Sequence, residues 1–351
     1  MKVNGKWYRA VWMEGNVVCM INQNKLPFEF EVFNCKTHKE TCVAIKDMIT
    51  RGAGSIGAAA AFAMAQATIE ATKQSANDYL MQAKLRIENT RPTAQNLFYA
   101  VENVYNAALR SVENALRIAQ NIADECANDG KKIGEYGNSL IKQNMKILTH
   151  CNAGWLALQD YGSALSPIYA AKEAGKNPFV WVDETRPRNQ GARLTAWELY
   201  HNDIEHKIIS DNVAAFLMKN KEVDMIITGA DRIVANGDTA NKIGTLSRAL
   251  AANYFGIPFY IAAPISTFDL SLANGNEIEI ELRDQNEVKL AKGKDAEGNW
   301  HEVYTAFPDS NAYNPAFDIT PAELITGIIT NKGIIKANTL EIKTIIKNGI
   351  Q

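Results

Sequence analysis

The rhythm of hydrophobic and polar positions changes twice along this chain. Residues 7–13 and 17–21 are short, largely apolar runs joined by Glu14-Gly15-Asn16, which predicts a hairpin. Residues 28–33 alternate apolar and charged, which predicts a third strand. From residue 37 to 145 the period lengthens. Leu80, Leu85, Leu97, Val101, Val104, Ala108, Val112 and Leu116 recur at helical spacing, and Thr90-Arg91-Pro92-Thr93 breaks the pattern. A small sheet followed by a helical bundle is expected in residues 1–143. Near residue 146 short apolar runs begin to alternate with helical stretches, at 147–148, 179–182, 208–209, 225–228 and 259–262. Each run is followed by Gly, Asp, Asn or Pro and then a helical pattern. This is the βαβ rhythm of a doubly wound parallel sheet covered on both faces, expected over residues 144–351, so the fold class is α/β. Thr320-Pro321-Ala322-Glu323 carries the capping pattern of a late helix.

Composition narrows the function classes. The 351 residues are 46% hydrophobic and 22% charged, an ordinary globular balance. A formal net charge of -2 argues against a general nucleic-acid binder. No apolar run reaches the ~18 residues of a membrane span, and residues 1–11 lack a signal-peptide core, so no membrane partner and a cytoplasmic location are expected. The Ala-rich run 58–67 is too short and too small-sided to span. Cys19, Cys35, Cys42, Cys126 and Cys151 are odd in number and scattered, which argues against a disulfide framework or structural zinc site. The five histidines form no metal-spaced cluster, and no metal or cofactor is expected.

Four segments carry candidate chemistry. Arg51-Gly52-Ala53-Gly54-Ser55-Ile56-Gly57 contains G-x-G-x-x-G, but it follows a helical pattern instead of a strand, so a dinucleotide site is disfavoured. A glycine-rich turn into the helix 58–66 can instead hold a phosphate on free backbone N–H groups with Arg51. A plain helix-to-helix turn accounts for the segment equally well. Thr149-His150-Cys151-Asn152-Ala153-Gly154 follows a strand directly, where open α/β sheets bind ligands, and a helix start there would lower the Cys151 pKa. Buried inert cysteines are commoner. Neighbouring strand residues face opposite ways, which speaks against a His150–Cys151 dyad. Residues 183–193 hold Arg186, Arg188 and Arg193, suited to phosphate or to pairing with local acids. Asp231 ends a third strand beside an apolar run, where partial desolvation favours a proton-bearing acid, although an N-cap or ion pair is the commoner role. Asn241 and Lys242 follow, with donors for hydroxyls or phosphate. Three strand ends thus converge on reactive or donor side chains.

Together these pieces, with Arg91-Pro92-Thr93, Gly229-Ala230-Asp231-Arg232, Asn236-Gly237-Asp238 and Asn314-Pro315-Ala316-Phe317-Asp318, resemble the methylthioribose-1-phosphate isomerase family, which shares its fold with regulatory subunits of eukaryotic translation initiation factor 2B. They run in family order over nearly the whole chain. The resemblance implies a homodimer, an N-terminal helical domain, a Rossmann-like C-terminal domain and a metal-free site. It implies Cys151 and Asp231 as the catalytic pair, and Arg51, Gly52, Ala53, Arg91, Gln190, Asn241 and Lys242 as substrate-binding. The implied reaction converts 5-methylthioribose 1-phosphate to its ketose isomer in methionine salvage. Asp231 donates the proton that opens the ring, and Cys151 assists hydrogen transfer from C2 to C1.

Two departures bear on the substrate. The family usually reads Pro-Ala where this chain has Gly54-Ser55, and Ile-Pro-Ile-Glu-Glu-Arg where it has Ile278-Glu279-Ile280-Glu281-Leu282-Arg283. They leave open 5-deoxyribose 1-phosphate or another 5-substituted ribose 1-phosphate. A non-catalytic initiation-factor-type subunit is the alternative of another class, since fold alone does not fix function.

Overall fold

The computed structural model describes residues 1–71, 76–91 and 95–347. Pro92 and Thr93, within the predicted break between helices, lie outside them. The chain forms two compact units: residues 1–138 with 153–170, and residues 139–152 with 171–351.

In the first unit the expected hairpin is present. Val11–Glu14 pairs antiparallel with Val17–Ile21, and Glu14 faces Val17 across the Gly15-Asn16 turn. The third strand is displaced from the expected 28–33 to Val32–Cys35, antiparallel to Val17–Ile21. The reason is local. Phe28 and Glu29 donate their backbone N–H groups to the Lys25 carbonyl, so that stretch is spent on a turn. Helices His38–Lys46, Ala53–Glu70, Ala76–Glu88, Gln95–Ala108 and Val112–Asn138 follow. Leu80, Leu97, Val101, Val104 and Ala108 are buried as the spacing predicts. Leu85 and Val112 are exposed instead. Helix Ala76–Glu88 buries only Leu80, Ala83 and Ile87, a stripe that leaves Leu85 on the far side.

The Ala-rich run is the centre of this unit. Helix Ala53–Glu70 is buried continuously from Gly54 to Thr68, so it has no polar face. Its alanines let the hairpin and the helices Gln95–Ala108 and Val112–Asn138 approach closely. The helix starts at Ala53, earlier than expected, so Gly54 to Gly57 lie inside it and the glycine-rich turn shrinks to Gly52. Gly52 has φ +90, and a Cβ there would sit 2.5 Å from the Ala157 Cα, so only glycine fits.

The second unit is built on a seven-stranded sheet. Its order is Gly333–Ile335, Gly327–Thr330, Phe259–Ala262, Met225–Thr228, Lys146–Thr149, Phe179–Asp183, His206–Ile209. All neighbours are parallel except the first pair. Numbered along the chain, the six parallel strands run 3-2-1-4-5-6, the doubly wound order, and all five short runs singled out in the sequence are strands. The sheet's buried residues include Ile147, Leu148, Val180, Val182, Ile226 and Ile261, the two-sided burial that reads as continuous apolar runs. The helix expected from Thr320 is a single 3-10 turn, Ala322–Leu324. Thr320 ends the strand Phe317–Thr320, and Gly327–Thr330 is already the next parallel strand, so no room remains for a longer helix. Among the described residues no helix is long and apolar enough to cross a membrane.

The Gly54-Ser55 departure has a packing basis within the first unit. A Cβ at Gly54 would lie 2.5 Å from the Cys126 sulfur and 3.1 Å from the Leu158 Cα. The buried Ser55 hydroxyl donates to the Leu156 carbonyl (2.8 Å) and accepts from the Gln159 N–H (3.3 Å). Cys126 thus fills space that a larger residue 54 would need. Gly54→Ala is expected to destabilise the protein by about 1–3 kcal/mol through overpacking. Adding Cys126→Ala should recover most of that loss in a double-mutant cycle read by denaturant unfolding; additive losses would refute the coupling.

Candidate active site

Strand order reverses between Lys146–Thr149 and Met225–Thr228, and ligands of open α/β sheets bind outside the carboxyl ends of strands at such a point. Cys151 lies two residues beyond the first of these strands and Asp231 three beyond the second. After Asp231 the chain enters a hairpin, Arg232–Val234 with Thr239–Lys242. The Asp231 N–H donates to the Ala240 carbonyl (2.9 Å), and Arg232 pairs with Ala240. One register step further sets Asp231 beside Asn241. The hairpin therefore returns Asn241 and Lys242 to the strand end that carries Asp231.

Lys242 is the electrostatic centre of this group. Its ammonium donates to the Ala316 carbonyl (2.8 Å) and lies 4.8 Å from the Phe317 ring centroid. Burial pushes its pKa down. Negative charge on Cys151 and Asp231 pulls it up, Arg283 lowers it further and Glu287 raises it. The attraction is mutual, so the ammonium also favours negative charge on the cysteine and the aspartate. The buried Asn241 donates to the Thr245 hydroxyl (3.0 Å). Asp231 is exposed, which corrects the expectation of a partly desolvated acid: it stands beyond the apolar strand, not within it.

Cys151 is half-buried and is not at a helix start, which removes that reason for a lowered pKa. It adopts φ +64, a left-handed conformation costing a non-glycine residue roughly 1–2 kcal/mol. Its four fellow cysteines differ. Burial pushes Cys35 and Cys42 up to about 11 and Cys126 up to about 12, and raises Cys19, so those thiols stay protonated and inert. His150 forms no dyad with its neighbour. Its Nδ1 pairs with Asp183 Oδ2 (2.9 Å) and its Nε2 with the Ile243 carbonyl (2.9 Å). His150, Asp183 and Asp211 present ligand atoms within 4.8 Å of one another, but the cation among these acids is Arg248. Its Nε donates to Asp183 Oδ2 (2.6 Å) and its Nη2 to the Asp211 carbonyl (2.6 Å).

The arginine-rich segment splits by role. Arg186 donates to the carbonyls of Pro187 and Val288, and Arg188 to Glu287, so both have local partners. Gln190 is buried, and its Oε1 has no hydrogen-bond partner among the described residues. An orphaned acceptor of that kind costs roughly 1–3 kcal/mol until a donor such as a sugar hydroxyl meets it. Gly191, the next residue, opens a π-helical turn, Gly191–Thr195, packed on the end of strand Phe179–Asp183; a Cβ there would lie 1.7 Å from the Asp183 carbonyl oxygen. In the first unit Arg51 precedes the Gly52 cap of helix Ala53–Glu70, which has no side-chain cap, and its first N–H groups are the donors a phosphate uses. Arg91 directly follows the helix Ala76–Glu88 and its Asn89-Thr90 turn.

Sequence reasoning missed Arg283 and Glu287. Arg283 makes two bonds to Glu287, from Nε (2.8 Å) and Nη2 (2.6 Å), and Arg188 adds a third (2.9 Å). Their i,i+4 spacing was the available signal. Both act on the Lys242 charge. The departing Glu279 and Leu282 are exposed, whereas Glu281 and Arg283, which match the family pattern, are paired with each other (3.2 Å).

Residues 49–337 match the model of the initiation factor 2 subunit family. The methylthioribose-1-phosphate isomerase of Sulfurimonas denitrificans is 47% identical over 96% of this chain and 98% of its own length. The chain belongs to this family. Among solved structures, 5-methylthioribose 1-phosphate isomerase from Pyrococcus horikoshii superposes with a TM-score of 0.88 at 39% identity, covering 98% of this chain and 97% of that one. A protein from A. fulgidus described as translation initiation factor eIF-2B, subunit delta, gives 0.85 at 37% identity, covering 97% and 100%. The family fold is thus the small N-terminal sheet, helical bundle and doubly wound sheet described above.

The Glu287 cluster makes a prediction about acid stability. Burial raises the Glu287 pKa, but the bonds and charges of Arg283 and Arg188 outweigh it and hold the carboxyl at about 2, below the ordinary 4.5. The depressed value stabilises the fold above pH 4.5, and that stability is lost as pH falls through about 2. Wild type should exceed Glu287→Gln by about 3 kcal/mol near pH 6. The gap should close towards pH 2 in denaturant unfolding, and a gap independent of pH would disprove the assignment.

Proposed function

We propose that the protein is an aldose–ketose isomerase that converts 5-methylthioribose 1-phosphate to 5-methylthioribulose 1-phosphate, the reaction of methionine salvage. The observation that carries this reading is the meeting of Cys151, Asp231 and Lys242 at the point where strand order reverses. Near-full-length likeness to named isomerases supports the substrate. The residues assigned to substrate binding are Arg51, Gly52, Ala53, Arg91, Gln190, Asn241 and Lys242.

In an aldose 1-phosphate the anomeric oxygen is esterified, so the ring cannot open by losing a hydroxyl proton. The bond from C1 to the ring oxygen must break, and that oxygen must gain a proton. Asp231 supplies it. C1 is left electron-poor, and hydrogen moves from C2 to C1 while the C2 hydroxyl loses its proton, which leaves a ketone at C2 and the phosphate ester intact. Cys151 serves this second step, either taking the C2 proton as thiolate or shaping a hydride transfer. Asp231 is exposed, so the chain alone does not favour its neutral form. Bound substrate supplies what is missing: it excludes water and brings a phosphate whose charge raises the aspartate's pKa. Arginine and lysine side chains balance that charge.

A second reading, a non-catalytic subunit of the initiation-factor type, draws on the A. fulgidus likeness. One experiment separates the two. Purified protein with 5-methylthioribose 1-phosphate should yield the ribulose isomer, and Cys151→Ala and Asp231→Asn should each lower kcat by about a hundredfold or more. Wild-type rates in both variants would refute the assigned roles. No turnover of any ribose 1-phosphate, together with co-purification with a translation factor, would favour the second reading. In a panel with 5-deoxyribose and ribose 1-phosphates, apolar contact with the 5-substituent should be worth ~1–3 kcal/mol, or about 10–200-fold in kcat/KM.

Lys242 sets the alkaline limb. Because burial lowers its pKa, the ammonium is lost at a lower pH than the ordinary 10.5. Phosphate binding is present below the shifted value and lost above it. KM should therefore rise at a pH below 10.5, and Lys242→Arg should abolish that limb, since an arginine keeps its charge. An unchanged limb in the variant would assign it to another group.

A further inference from the structure

Cys151 is not the only strained residue at this end of the sheet. Thr185 adopts φ +65, and a β-branched residue in the left-handed region is a genuine outlier. The two strained residues are bonded to each other. The Cys151 N–H donates to the Thr185 hydroxyl (2.8 Å), and that hydroxyl donates to the Asp183 carbonyl (3.0 Å). On the other side of the same residue, the Thr195 hydroxyl donates to the Cys151 carbonyl (2.7 Å) and accepts from Asn152 Nδ2 (3.1 Å). Both threonines are fully buried. Both peptide groups flanking the Cys151 Cα are therefore held by a threonine hydroxyl, one from the loop after strand Phe179–Asp183 and one from the π-helical turn.

The hydroxyls are themselves fixed. The Thr185 and Arg186 N–H groups donate to the two oxygens of Asp211 (2.9 and 2.7 Å), and Arg248 Nη2 lies 3.3 Å from Asp211 Oδ1. Asn152 is tied to the buried Glu198 (2.8 Å). Strained conformations persist only where the surroundings over-determine them, and they gather at functional sites. Here two side chains hold one cysteine's backbone and two more hold those side chains' residues, and none of these bonds belongs to the sheet ladder.

We propose that Thr185 and Thr195 are positioning residues that clamp the Cys151 backbone in the left-handed conformation and thereby fix the direction of its thiol. Rotation of φ at residue 151 into a relaxed region would swing the Cβ, and the sulfur with it, away from the geometry that lets Lys242 respond to its charge. The inference rests on the reading of Cys151 as catalytic. It predicts an effect on the chemical step more than on binding, because neither threonine is among the residues assigned to the substrate.

The test pairs Thr185→Val and Thr195→Val, which delete the hydroxyl at near-constant shape, with Thr185→Ser and Thr195→Ser, which keep it, and includes Cys151→Ala. With 5-methylthioribose 1-phosphate, each Val variant should lose about tenfold or more in kcat with KM within about twofold, and each Ser variant should restore kcat to within about threefold of wild type. A crystal structure of the Val variant should show Cys151 outside the left-handed region. Val variants with wild-type kcat, or Ser variants as impaired as Val, would overturn the proposal. If Thr185→Val does not fold, Thr195→Val, which leaves the Asp211 bonds intact, carries the same expectation and the same overturning result. Should Cys151→Ala keep full turnover, the catalytic reading of Cys151 fails. The φ of Cys151 in the Val crystals then still decides the clamp.

Discussion

The second unit depends on one buried carboxylate. Asp183 is fully buried at the end of strand Phe179–Asp183, where its Oδ2 meets both Arg248 and His150. Desolvating such a charge costs several kcal/mol, which only close, well-aligned partners return. These partners come from different elements. Arg248 belongs to helix Thr245–Phe255 and reaches on to Asp211, and His150 directly follows strand Lys146–Thr149 and bonds the carbonyl beside Lys242. The helix itself begins at Gly244, where Asp318 accepts the N–H groups of Gly244 (2.7 Å) and Leu246 (3.1 Å). Removing Asp183 would strand two buried donors at once, one on helix Thr245–Phe255 and one just beyond strand Lys146–Thr149. The loops that carry Cys151, Lys242 and Thr185 hold their places because they are spokes of this cluster.

The sheet's winding brings those spokes together. Strands one and four of the winding lie side by side, so residues some eighty positions apart share one crevice. The winding alone would bring only Cys151 and Asp231 there. The hairpin that follows adds Asn241 and Lys242, and the antiparallel pairing of Thr239–Lys242 with Phe317–Thr320 brings in Asp318 and the Ala316 carbonyl. Strands outside the main sheet are the means by which a generic doubly wound fold acquires a specific set of charges.

The parallel strands were legible because two-sided burial writes uninterrupted apolar runs, and few other arrangements of a short segment produce them. Edge features were harder to read. The displaced third strand and the aborted helix at Thr320 both depended on hydrogen bonds made by backbone groups, which side-chain patterns do not record. Cys151 and Asp231 were legible as candidates through their strand-end positions and the family pattern. The exposure of Asp231 was not, since it depends on how far the chain runs beyond the strand before turning. Thr185 and Thr195 lie within segments of the family pattern, but nothing in the sequence marks their hydroxyls as partners of the Cys151 backbone. A threonine that accepts from one backbone group and donates to another looks, in sequence, like any other threonine. The arginines of residues 183–193 left both a phosphate and local partners open, and Arg186 and Arg188 have a carbonyl and a carboxylate nearby.

The same fold is shared with proteins named as translation-factor subunits, so architecture cannot separate the two readings. Strain can. A left-handed cysteine bonded to a left-handed threonine is a local cost in stability. A scaffold that only presents surfaces to partner proteins gains nothing from such a pair, and glycine at 151 would relieve part of the strain. An enzyme that must aim one sulfur at one carbon of a sugar has a use for it. On the proposed reading, the strained pair, with a half-buried ammonium beside the thiol and the acid at the switch point, is a cost that aiming the thiol accounts for.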